Sequence, residues 1–179
     1  MAEFSVTRRW TYWSLFLGLA SLIIFVKLLP LNPGPGRFPG PDVLTLFALA
    51  WVVRRPDYVP VVLVAAVFLM ADFLFMRPPG LWTALVILGL EFLRARSVSM
   101  REMSFLGEWL TVAGVIAAMA LANAVTLTVF VVNQPGLGQA LLWMIATILA
   151  YPLIVALAAR AFGLKKIAPG EVNQLGQRR

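Results

Sequence analysis

The chain has 179 residues, of which 61% are hydrophobic and 13% charged, and carries a formal net charge of +7. Soluble domains run at about 45–50% apolar, so this composition argues against a soluble enzyme and for an integral membrane protein. With no cysteine and no histidine, thiol catalysis, disulfides, Cys/His zinc sites, histidine-ligated haem and triads with a histidine base are all excluded.

Six apolar stretches follow in chain order: 11–29, 43–53, 58–76, 81–93, 105–132 and 140–162. In hydrocarbon every backbone N–H and C=O must be satisfied within the protein, so these stretches are read as helices. A full crossing takes about 20 residues. The first, third, fifth and sixth stretches meet that length, and the second and fourth fall short. The fold expected is an all-α integral membrane protein of about six transmembrane helices in one bundle and one domain. The helices are placed over 11–29, 41–53, 58–76, 79–94, 105–132 and 139–162, with a polar tail over 164–179. The alternative replaces two spans with one re-entrant pair.

The first stretch contains Lys27 and ends at Pro30 without a small-residue cleavage motif, so it reads as a retained helix and not as a signal peptide. Lys27 either snorkels to the headgroups or pairs with Asp72. A loop with three prolines and three glycines around Arg37 follows and cannot continue a helix. The second stretch opens on Pro41 and Asp42, suited to the first turn and positive end of a helix. It closes on Arg54, Arg55 and Pro56, a tight turn in which both arginines are candidates for contact with partners or lipid.

The third stretch carries Asp72 five residues before Arg77. A carboxylate inside a span costs about 2.5–3.5 kcal/mol on insertion scales. It therefore reads as a polar contact within the bundle or at a partner interface, or as a helix-end residue pairing with Arg77. The turn over 76–80 leads through Pro79 and Gly80 into the fourth helix, where Glu91 and Arg94 form an i,i+3 pair. In the fifth, Glu108 favours the positive helix end. Gly114, Ala117, Ala118 and Ala122 make a close-packing stripe, and Asn123 needs a partner on another helix. In the sixth, Pro152 after Tyr151 frees a backbone carbonyl and should kink the helix. Trp10, Trp13, Trp51, Trp82 and Trp109 fit an aromatic belt at the interfaces.

The threading separates the 15 basic residues. One side holds Arg8, Arg9, Arg54, Arg55, Arg94, Arg96, Arg101, Arg160, Lys165, Lys166, Arg178 and Arg179; the other keeps Lys27, Arg37 and Arg77. Bias of this kind in short loops sets orientation, which places both termini in the cytoplasm. The same charges, spread over separate loops, suit anionic lipid. They form no aromatic-interleaved patch for nucleic acid. Neither a catalytic set nor a cofactor or metal motif is present in the sequence.

Several local motifs accompany this plan. They are Pro41-Asp42-Val43-Leu44, Trp51-Val52-Val53-Arg54-Arg55-Pro56, Asp72-Phe73-Leu74, Pro79-Gly80-Leu81, Tyr151-Pro152 and the Ala-Pro-Gly-Glu-Val tail at 168–172. Together, over nearly the full length, the chain resembles the MreD family, the small membrane component of the bacterial rod-shape machinery. Phe68-Leu69 departs from the Gly-Leu often found before the helix-three aspartate in that family. The resemblance implies a non-enzymatic scaffold of the inner (cytoplasmic) membrane that works with an MreC-type protein. It further implies links to MreB filaments and to peptidoglycan synthesis by RodA and its class B penicillin-binding partner. It also implies a fold similar to the substrate-binding subunits of energy-coupling-factor vitamin transporters, and such a subunit is the alternative reading.

Overall fold

The computed structural model describes residues 2–29, 40–54, 56, 59–132 and 134–162. All regular structure among them is helical: α1 (Ala2–Leu28), α2 (Val43–Arg54), α3 (Val61–Leu74), α4 (Leu81–Ala95), α5 (Ser97–Glu102), α6 (Phe105–Val129) and α7 (Leu137–Phe162). Within these helices, Trp10–Leu28, Phe105–Val129 and Leu137–Arg160 are long and apolar enough to cross a membrane. Val43–Arg54 and Val61–Leu74 are apolar but shorter.

The third stretch therefore corrects the reading that it reaches full span length. Pro60, extended at φ −65° and ψ 145°, stops helical backbone at its start. At its end the Arg77 N–H donates to the Asp72 carbonyl and the Met76 N–H to the Phe73 carbonyl. With Met76 left-handed at φ 54°, this is a Schellman ending, and it leaves 14 helical residues. The same motif closes α6, with Val131 at φ 53° and Val132 N–H donating to the Leu127 carbonyl. The short α5, between α4 and α6, has no counterpart among the six stretches.

Helix α2 is the central post. Every residue from Leu44 to Arg54 is buried, and α2 packs on α7, α4 and α1, while α3 lies on α4 and α1, and α6 on α4 and α7. Such burial explains why a helix of 12 residues is apolar all round without an amphipathic stripe. Trp51 stands edge-on to Phe16 and to Phe47 at centroid distances of 5.7 and 4.9 Å. It is a core residue and not part of a belt, and Trp82 is likewise buried. Trp10 is exposed, as an interfacial residue would be.

Helices α4 and α6 come close together at Gly89 of α4. A Cβ there would lie 2.9 Å from both Met119 Sδ and Val115 Cγ1 of α6. On the expected small-residue stripe of α6, by contrast, a Cβ added at Gly114 would meet nothing within 4 Å, and Gly114 and Ala118 face outward. Phe68, at the position where the MreD family often has glycine, is buried in the core.

Candidate functional site

Buried polar side chains gather at the two ends of the bundle. At the end formed by the α2 C-terminus and the α6 N-terminus, Ser104 caps α6 by accepting the Gly107 N–H at 3.3 Å. This sets Glu108 in the first turn, where the helix dipole favours an anion. Arg54 Nη2 donates to Glu108 Oε1 at 3.2 Å, and Tyr151 Oη donates to the same oxygen at 2.9 Å. All three side chains are buried, so this one carboxylate ties α2, α6 and α7 together.

Arg54 is thus corrected from a partner-facing or lipid-facing residue to an internal one. Pro56 sits half-buried in the turn that follows, and Arg55 lies outside the described residues. On the same side, Arg94 keeps its expected pair with Glu91 at 2.7 Å. It also donates to the Val59 carbonyl at 2.6 Å, which fastens α4 to the turn before α3.

At the opposite end, Asp72 pairs with neither Lys27 nor Arg77. Its Oδ2 accepts the Gly80 N–H at 3.1 Å, the Thr83 N–H at 3.2 Å and the Thr83 hydroxyl at 2.8 Å. Helix α4 is therefore capped by a carboxylate reaching across from α3, which satisfies first-turn donors that would otherwise be orphaned. Gly80 makes this geometry possible, because it precedes α4 at φ 85°, a conformation costly for any residue with a Cβ.

The carboxylate that does meet the cations is Asp42. Lys27 Nζ stands 3.7 Å from its Oδ1 and Arg77 Nη1 3.8 Å from its Oδ2. Asp42 Oδ1 also accepts the Thr45 N–H at 3.4 Å, as a cap of α2. Its own N–H donates to Thr147 Oγ1 at 3.1 Å, joining α7. Thr45 Oγ1 in turn accepts the Trp82 indole N–H at 3.2 Å.

Helix α7 runs on through Pro152. A proline lacks the N–H that would bond four residues back, which leaves the Ile148 carbonyl without its helical donor. Trp109 supplies one, with its indole N–H 2.9 Å from Ile148 O. The freed carbonyl was legible in the sequence; its partner, read there as a belt residue, was not. Trp109→Phe should destabilise the fold by about 1 kcal/mol. Adding Pro152→Ala, which restores the intrahelical bond, should recover most of that loss in detergent melts. No recovery would show that the indole matters through packing alone.

Asn123 is half-buried on α6 and finds no hydrogen-bond partner on another helix among the described residues, contrary to the expectation for a mid-helix amide. A recess of about 320 Å³ lies between the α3–α4 turn and the end of α6, lined by Pro78, Pro79, Gly80, Leu81, Thr126, Leu127, Phe130 and Val132. The hydroxyl of Thr126 is already engaged with the Ala122 carbonyl at 2.8 Å. Among the described residues no group of three or more acidic side chains could hold a metal ion. The buried carboxylates sit between helices, each with its own donors or cations. Comparison with protein-family models, curated proteins and solved structures finds no match to this chain.

Proposed function

We propose that this chain is a non-enzymatic, six-span scaffold of the bacterial elongation machinery in the inner membrane, with both termini cytoplasmic. In this reading it docks the transmembrane helix of an MreC-type protein. Through that partner it helps to couple MreB filaments to peptidoglycan synthesis by RodA and its class B penicillin-binding protein. The sequence resemblance to MreD supplies the identity of the partners.

The observation that carries the reading is where the ionisable groups are used. Glu108, Asp72 and Asp42 are each committed to holding helices in register. Meanwhile α1, α6 and α7 turn residues such as Phe25, Leu121, Val125, Leu149 and Leu153 outward. A bundle that locks its polar groups inside and presents apolar helix faces is suited to association in lipid, where fit and close approach decide. Outward Gly114 and Ala118 on α6 give a partner helix room to come close. The short α2 can cross within protein, since its neighbours cover it and it need not match the bilayer.

Affinity purification in mild detergent, with mass spectrometry of what is retained, tests the proposal. Co-purification of an MreC-type protein, with or without RodA and its partner, is the expected result. Recovery of ATPase subunits with a coupling protein would replace it with the transporter reading.

A further inference from the structure

Lys27 lies in the last turn of α1, at the end of a helix long enough to cross a membrane, and therefore at headgroup depth. Arg77 reaches the same place from the α3–α4 turn, since both cations face the single carboxylate of Asp42 from its two oxygens. Charge-assisted N–H···O bonds measure about 2.7–2.9 Å, and neither contact, at 3.7 and 3.8 Å, is that short. Asp42 also spends charge on the α2 N-terminus through the Thr45 N–H, and Asp72 is turned inward to α4. The Arg77 guanidinium thus has only a long contact with a carboxylate that is already partly engaged, and the Lys27 ammonium stands beside it.

The guanidinium is held in place without using its donors. Arg77 lies 5.4 Å from the Phe75 ring centroid and 5.6 Å from that of Trp82, and Lys27 lies 4.6 Å from Phe75. Both side chains remain about one-third exposed, at 34% for Lys27 and 30% for Arg77. Exposed apolar residues flank them on α1 and after α3: Phe25, Leu28 and Met76. A planar fork held on aromatic faces beside an ammonium matches a phosphodiester, and the apolar surround matches acyl chains.

We propose that Arg77 and Lys27 together bind the phosphate of an anionic phospholipid at this end of the bundle. Arg77 supplies the directional hydrogen bonds and Lys27 the second charge. The site depends on α1 crossing the membrane and is independent of which partner protein the bundle docks.

Native mass spectrometry of the full-length protein in neutral detergent, titrated with phosphatidylglycerol, phosphatidylcholine or inorganic phosphate, tests this directly. Phosphatidylglycerol should be retained in preference to phosphatidylcholine, and Arg77→Gln should weaken its binding roughly tenfold. Lys27→Gln should weaken it less, and inorganic phosphate at equal concentration should neither bind nor compete. Equal retention of the two lipids, or unchanged phosphatidylglycerol binding in both variants, would overturn the site. Displacement by inorganic phosphate would reduce it to a free-anion site. If Arg77→Gln fails to fold, the two-lipid comparison on the unaltered protein and Lys27→Gln still decide.

Discussion

Glu108→Ala should cost the bundle about 3–5 kcal/mol, because it leaves the Arg54 guanidinium buried beside Tyr151 without its anion. Arg54→Leu should cost a similar amount by stranding the carboxylate. The informative variant is the double one. With both charges gone, the penalty of an unpaired buried charge disappears, and the loss should fall well short of the sum of the single losses. Unfolding in mild detergent, followed for the three variants, measures the coupling. Strictly additive losses would mean that the two side chains do not depend on each other, and that α2, α6 and α7 are joined by packing alone.

Asp72→Ala should cost about 2–4 kcal/mol, since one carboxylate oxygen serves the Gly80 amide and both donors of Thr83. Asp72→Asn keeps an acceptor in the same place and should retain more than half of the stability. Hydrogen exchange at the Gly80 and Thr83 amides gives a local readout, with faster exchange expected in the alanine variant. Unchanged exchange and unchanged stability would show that α4 starts without help from α3. In either variant the effect should be confined to the α3–α4 end, because the Glu108 cluster lies at the other end of the bundle.

These two clusters show what could be read from residues in order and what could not. That Asp72 needs a polar or charged neighbour followed from the energy of a carboxylate among apolar residues, and that Asp42 and Glu108 suit helix starts followed from the dipole. The pairings did not follow. Glu108 meets Arg54 from 54 residues away and Tyr151 from 43, and nothing in local spacing encodes such a distance. Lys27 and Arg77, each read as one alternative partner of Asp72, go to Asp42 instead, and the α4 N-terminus engages Asp72 with three donors.

Tryptophan presented the same difficulty. Trp51 and Trp82 occur near helix ends, as belt residues do, but α2 is enclosed by α1, α4 and α7, and that enclosure turns them into core. The i,i+3 pair of Glu91 and Arg94 was readable because helix geometry alone brings it together.

Composition and residue order were enough to establish that this protein is helical and suited to a membrane, where most of its apolar stretches begin and end to within a few residues, and which residues could not be left bare in lipid. Those properties depend on composition and on interactions within a few residues along the chain. The packed bundle was needed to establish that α2 is the enclosed post, that α3 stops at 14 residues, and that α4 closes on α6 at Gly89. The same is true of which cation each buried carboxylate meets. Helix ends fix the depth of a side chain, whereas its partner depends on the rotation and neighbour order of whole helices, and those are set by packing over the entire bundle.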